Sequence, residues 1–393
     1  MSVQETRKRY KQTELGLIPE DWEVKELSTV GNFSKGNGIR KDEALTGDLP
    51  SVRYGEIYTR HNNIIKQFHS FISYEVAQTA KRIKCGDILF AGSGETKEEI
   101  GKSVAFLNEF EAYAGGDIII LNPFNISTHF LGYLLNCPFI QKQKATRGQG
   151  DAVVHISATQ LGKVLIPIPT KAEQTAIANA LSDADAYIQS LEKLIEKKRN
   201  IKQGAMQQLL KPKEGWVVKK LGDLFEISAG GDLDKINFVE YQDKKYLYPI
   251  YSNSLSNKGL YGYSSLFTNL ENTITVTARG TLGNANYRNH KYSAIGRVLI
   301  LKPTQELDCS FISDYINSKI KFAIESTGVP QLTAPQISNY EVCIPSFFEQ
   351  RRISNILSDI DNELELLENK LSKAKKLKQG MMQELLTGKI RLV

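Results

Sequence analysis

The side chains with the widest chemical use in this sequence fall into two polar, glycine-studded groups. One holds Lys35, Asn37, Arg40, Arg53, Tyr54, Arg60, Asn62 and Asn63; the other holds Tyr251, Asn253, Asn257, Arg279, Thr281, Asn284, Asn286, Arg288, Asn289 and Arg297. Arginine and asparagine can each make two parallel hydrogen bonds, to guanine and adenine edges respectively, and tyrosine and threonine hydroxyls can hold phosphate. Singly, each is an ordinary loop residue. As two sets on two segments with a common frame, they are expected to form DNA-recognition surfaces.

Catalytic chemistry finds no comparable support. Residues 91–101, AGSGETKEEIG, lack the Gly-Lys-Ser/Thr ending of a phosphate loop and read as a tight β loop. Asn122-Pro123-Phe124 resembles part of the Asn-Pro-Pro-Phe of amino-methyltransferases, but the second proline is missing and the matching stretch is Lys302-Pro303-Thr304. Glu23-Val24-Lys25 has the form of a nuclease metal site, yet Val217 stands where Glu23 should recur. His61, His69, His129, His155 and His290 have neither helical metal-ligand spacing nor a neighbouring nucleophile. Cys85, Cys137, Cys309 and Cys343 are isolated, which suits reduced thiols in the cytoplasm and argues against structural zinc. No catalytic residue, no metal site and no cofactor of the chain's own are expected.

Two long repeats must position the loops. Residues 173–210 and 349–386 are identical at 18 of 38 positions without a gap. Ile177, Leu181, Ala184, Ile188, Leu191 and Ile195 are spaced alternately by four and three, and Ile353, Leu357, Ile360, Leu364, Leu367 and Leu371 keep the same beat. An apolar stripe with that period is a coiled-coil seam. Thr170 and Ser346 each precede a glutamate, Glu173 and Glu349, by three residues, which predicts a capping box at each helix start. Each arm would span about 57 Å if fully helical.

Each helix follows a globular segment, and the segments also repeat. Residues 19–36, PEDWEVKELSTVGNFSKG, align with 213–230, KEGWVVKKLGDLFEISAG, pairing Trp22 with Trp216. Residues 86–123 likewise resemble 271–303, with strands predicted at Ile118–Leu121 and Val298–Leu301. Helical stretches follow, near 127–145, where Pro138 should break the run, and 310–326. Short strands at 164–168 and 341–344 then lead into the long helices. The expected fold is α/β with α+β character: two similar domains joined by two long antiparallel coiled-coil helices in a pseudo-twofold internal repeat. Its divisions are a loosely held leader at 1–17, a domain at 18–168, a helix at 169–212, a domain at 213–344 and a helix at 345–393.

Composition sets limits on the setting. No apolar run approaches the roughly 18 residues needed to span a membrane, and residues 1–16 lack the apolar core of a signal peptide. A net charge of +6 permits a nucleic-acid partner without requiring one.

The doubled EQ-x-x-I-x-x-x-LS-x-x-D helix, the leader KQTELGLIPEDWEV and the KQG-x-M-Q-x-LL helix ends resemble the DNA-specificity subunit of type I restriction-modification systems, over almost the whole chain. That resemblance implies two target recognition domains, each reading half of an interrupted, asymmetric double-stranded DNA site. It implies that the helices set the half-site spacing and hold two modification (methyltransferase) subunits. Adenine methylation would use S-adenosylmethionine in those partners, and cleavage would need a restriction/translocase subunit using ATP and Mg. Two other readings stand beside this: a non-catalytic scaffold whose globules bind protein, and a silent specificity allele without an active partner.

Overall fold

The computed structural model describes residues 10–150, 152–322 and 331–392. The chain forms two compact units, residues 1–191 with 370–393, and residues 192–369.

In the first unit, four antiparallel strands lie in the order Ser103–Ala105, Ile88–Ala91, Ile118–Pro123, Gly31–Lys35. The two central strands are apolar on both faces because both faces are covered. Ile88, Phe90, Ile119 and Leu121 pack with Phe130 and Leu134 of the following helix, Thr128–Leu134. Their alternates Leu89, Ala91, Ile118 and Ile120 pack with Val52, Ala112 and Ala114 of a second sheet. That sheet runs Ser70–Ile72, Leu49–Val52, Ala112–Ala114, Lys81–Ile83, with one parallel pair between 49–52 and 112–114.

The second unit repeats this frame. Its first sheet orders Ala285–Arg288, Thr273–Val276, Leu299–Pro303 and Phe225–Ala229; its second orders Phe238–Val239, Leu260–Ser264, Tyr248–Tyr251 and Ser293–Ala294. The parallel pair recurs between 248–251 and 293–294. Alternation again divides the core: Ile274, Val276, Leu299 and Leu301 pack with Phe311 and Ile316, whereas Val298 and Ile300 pack with Tyr251 and Tyr292.

A two-stranded ribbon leads from each unit into its helix: Glu23–Glu26 with Leu165–Ile168, and Val217–Lys220 with Glu341–Ile344. The helices are Lys171–Leu209 and Phe347–Leu385. Ile177 and Leu181 are buried in the first unit's core beside Leu385 and Leu386, while Ile353 and Leu357 are buried in the second's beside Leu210. The seam therefore merges with the globular cores at these positions. Leu191, Ile195 and Leu364 are buried, and Ala184, Ile188, Ile360, Leu367 and Leu371 are half-buried. Pairing is antiparallel in each unit: Asp185 meets Lys378 while Glu173 meets Arg391, and Lys198 and Lys202 meet Glu363 and Asp361.

Two expectations need correction, for the leader and for the capping boxes. Residues 10–19 are not a loose leader: Tyr10–Thr13 and Gly16–Pro19 form a hairpin, and the Tyr10 hydroxyl donates to the Gly388 carbonyl at 3.2 Å. Residues 1–9 lie outside the described residues. The helical run near 127–145 breaks at Pro138 as expected: one helix, Thr128–Leu134, ends before it, and Pro138 opens the next, Pro138–Ala145, because its missing N–H costs nothing in a first turn. The capping boxes are half made. Thr170 and Ser346 hydroxyls accept from the Glu173 and Glu349 amides at 3.3 and 3.4 Å, but the Glu173 carboxylate is drawn to Trp22 and Arg391 instead. In the second stretch, the helix is Cys309–Lys319, and residues 323–326 lie outside the described residues.

Candidate nucleic-acid interface

In both units the polar loops leave the strands at corresponding places, because the same backbone contacts recur. Gly36 donates its N–H to the Ile118 carbonyl and Gly116 to that of Gly38; Gly230 donates to Val298 and Gly296 to Gly231. A side chain at Gly36 would sit 2.0 Å from the Gly115 carbonyl oxygen, so the close crossing requires glycine. Each turn ends on a non-glycine residue with a left-handed backbone, Asp117 at φ 58° and Arg297 at φ 64°. The frame is common, and the charge at this position is opposite.

In the second unit one side-chain amide gathers three loops. Asn253 Nδ2 donates to the Gly296 carbonyl at 2.6 Å, and Asn253 Oδ1 accepts from the Ala278 amide at 2.7 Å. Arg279, Thr281 and Arg297 are exposed on the loops so joined, and Asn257 is exposed further along the loop that Asn253 begins. Thr277 stiffens the glycine loop, donating to the Thr281 carbonyl at 2.6 Å and accepting from the Asn284 amide at 2.9 Å. Asn286 Nδ2 donates to Asn284 Oδ1 at 2.8 Å, and both residues are half-buried. Asn289 is exposed and paired with His290.

Tyr251 and Arg288 do not belong to this surface. They are 7% and 3% exposed. The Arg288 guanidinium lies 3.4 Å from the Tyr251 ring centroid, its Nε donates to Thr275 Oγ1 at 2.9 Å, and its Nη2 donates to the Lys258 carbonyl at 2.6 Å. Burial lowers the Arg288 pKa and raises that of Tyr251. A charge so enclosed by its own fold is a structural strut, and neither side chain is free to read DNA.

In the first unit, Asn37 is exposed and its Nδ2 donates to the Thr79 carbonyl at 2.8 Å. Backbone bonds from Gly115 to Val52 and from Gly92 to Asp117 bring the start of the 92–102 loop and half-buried Arg53 toward the same turn. Lys35 and Arg40 are exposed on adjoining backbone, and Tyr54, Arg60 and Asn62 are exposed on or after the helix Tyr54–Thr59. Asn63 is the third correction among the candidates. It is 8% exposed, and its Oδ1 accepts from Asn136 Nδ2 at 3.2 Å, so it braces the core.

Several contributors were not legible in the sequence. The 92–102 loop is held as the short strand Ser93–Gly94 against Val154–His155, with Ser93 Oγ 3.0 Å from His155 Nδ1. At its far end, fully buried Lys144 donates to the Gly101 carbonyl at 2.6 Å, and burial pushes its pKa down to about 7. A lysine in a short polar helix carries no sequence signal of burial. Among the described residues, no group of three or more His, Cys, Asp or Glu side chains could hold a metal, and no helix is long and apolar enough to cross a membrane.

Comparison with known proteins adds an independent line. The family model for the type I restriction modification DNA specificity domain matches twice, over residues 19–202 and 213–376. A Methanocaldococcus jannaschii protein provisionally assigned as the specificity subunit of the type I restriction enzyme MjaX is 28% identical, over 98% of this chain and 97% of its own. The MjaVIII specificity subunit of the same organism is 24% identical, over 95% and 94%. In fold, the chain is similar to the crystal structure of a type I restriction-modification S subunit from M. genitalium. The TM-score is 0.67 and the identity 20%, over 93% of this chain and 96% of that one.

Proposed function

We infer the role of this chain from its family: it belongs to the type I restriction modification DNA specificity proteins, and it supplies DNA sequence specificity to a type I restriction-modification system with other subunits of that system. The scaffold reading is not favoured by these relatives.

We propose that residues 18–168 and 213–344 are target recognition domains, each reading one half of a bipartite double-stranded site, and that 169–212 and 345–393 are spacer helices. One observation carries this division: the same strand frame occurs twice with unlike side chains on its loops, Asp117 standing where Arg297 stands. A repeated frame supplies two similar docking geometries, and unlike loops supply two different base preferences. The surface candidates are Lys35, Asn37, Arg40, Arg53, Tyr54, Arg60, Asn62, Asn253, Arg279, Thr281, Asn284, Asn286, Asn289 and Arg297. Basic members would provide salt-dependent attraction to phosphate, and base-edge contacts would provide choice.

The long helices would hold two modification subunits, which would carry S-adenosylmethionine and the methyl-transfer chemistry; a restriction/translocase subunit would use ATP and Mg. This chain would contribute no catalytic group, and the assembly would work in the cytoplasm. The test is sequencing of methylated adenine in cells that carry this chain with a competent modification subunit, against cells lacking this chain. A new two-part motif with a fixed gap is expected; no motif would overturn the reading. Deleting one helical turn from 173–210 is expected to shift or abolish the preferred gap, because half-sites must keep both separation and rotational phase along the duplex.

A further inference from the structure

Asn253 has an unusual pair of partners. The carbonyl it donates to belongs to Gly296, immediately before Arg297, and the amide it accepts from belongs to Ala278, immediately before Arg279. Its planar amide group thus clamps the two peptide segments that launch the two exposed arginines. Both launch points are also constrained from within. Arg297 is held at φ 64°, a region that residues with a Cβ rarely occupy, and Gly296 donates to the Gly231 carbonyl at 3.0 Å. Arg279 forms an isolated bridge with Gln331, and the loop after it closes through the two Thr277 hydroxyl bonds.

Backbone held this firmly serves to aim a side chain. Arginine presents two parallel donors matched to O6 and N7 of guanine in the major groove, and this pairing discriminates only where the guanidinium is aimed. We propose that Asn253 is a positioning residue for DNA reading by the second unit, and that Arg279 and Arg297 are specificity-determining residues reading guanine in that half of the site. The proposal rests on the DNA-specificity reading above. Among the described residues the first unit has no such clamp: its equivalent turn carries Asp117, whose carbonyl is taken by the Gly92 backbone amide at 2.7 Å. The guanine-reading pair therefore belongs to one half-site.

The experiment uses the whole chain assembled with its modification subunit in cells, with adenine-methylation sequencing as the readout. Exchanging residues 213–344 for those of a relative identifies which half-site the second unit reads. Arg279→Lys and Arg297→Lys keep the charge and lose the fork. Each is expected to lower discrimination for guanine at one position of that half about ten-fold, leaving the other half and the gap unchanged. Asn253→Ala is expected to relax both positions together, and Asn253→Asp, which retains the acceptor for Ala278 but loses the donor to Gly296, to affect the Arg297 position more. A second half-site without a G·C pair, or one whose base preference both lysine variants leave intact, overturns the proposal. Should Asn253→Ala fail to fold, Asn253→Asp decides the positioning role, and an unchanged preference at the Arg297 position in that variant overturns it. A wild-type chain that directs no motif at all overturns the DNA-specificity reading itself, so the two failures are distinguishable.

Discussion

The two units enter their long helices through the same junction and finish it differently. In both, the glutamine after the helix-start glutamate makes the same pair of bonds. Gln174 donates to the Pro169 carbonyl and accepts from the Ser127 amide, and Gln350 donates to the Pro345 carbonyl and accepts from the Asp308 amide. The glutamates themselves part company. Glu173 is fully buried, accepts from Trp22 Nε1 at 2.9 Å and from Arg391 Nη2 at 2.7 Å, and Arg391 also forks onto Asp21 at 2.8 and 2.9 Å. Glu349 is half-buried, with Lys213 at 3.6 Å, and the buried Trp216 Nε1 has no hydrogen-bond partner among the described residues. The 176-residue repeat sets Gly215 opposite Arg391. There the chain must turn into another strand, and Gly215 takes φ +85° to do so. A repeated sequence therefore yields a stapled junction only where the following residues are free to act as a staple.

Breaking the staple is the largest expected effect. Glu173→Ala leaves a buried indole N–H and a largely enclosed guanidinium without their carboxylate, and should cost about 3 kcal/mol; Glu349→Ala should cost less than about 1 kcal/mol. Calorimetry of both variants checks this, and equal losses would dissolve the comparison. Asp21 sharpens the same contrast: its hydrogen bond with Arg391 holds its pKa below the usual value. That contribution should be present above the ordinary carboxylate pKa and fade as pH falls through the lowered one, whereas Asp21→Asn should flatten this acid limb.

A second pair of equivalent positions predicts an effect of opposite sign. Three residues after Phe130 stands Tyr133, whose hydroxyl donates to Asp185 at 2.9 Å beside Lys378. Three residues after Phe311 stands Asp314, near Asp361 and Lys202, where burial chiefly, with help from Asp361 and Asp308, raises its pKa to about 6 against Lys202 and Lys258. A carboxyl with a raised folded pKa destabilises once ionised. The cost is absent below about pH 4, grows toward pH 6 and is full above it. Asp314→Asn should therefore raise stability at pH 8 by about 2 kcal/mol and have little effect at pH 4, read from melting temperature against pH. Tyr133→Phe should instead destabilise by about 1 kcal/mol at either pH, through loss of its bond to Asp185.

The smallest contrast lies among the helix ion pairs. Lys378 and Asp185 are 15% and 20% exposed at 2.6 Å, whereas Arg199 and Glu368, also 2.6 Å apart, are 64% and 49% exposed. Lys378→Met should cost about 1 kcal/mol and Arg199→Ala a few tenths, because water screens the second pair. Denaturation midpoints in low and high salt would separate them.

The sequence by itself determined the duplication, the alternation of globular segment and long helix, and the apolar seam, because periodicity and internal identity are properties of the chain read along its length. The loops could likewise be located from glycine and polar composition. It could not sort Asn63, Tyr251 and Arg288 from Arg279 and Arg297, since all are polar residues in polar stretches. Contacts with neighbouring strands and helices made the first three into struts: Asn136 holds Asn63, and Arg288 stacks on Tyr251 and bonds Thr275. Tertiary structure alone also turned Glu173 from a helix cap into the centre of a buried cluster. Its partners, Trp22 and Arg391, lie 151 and 218 residues away, and such separations leave no local pattern to read.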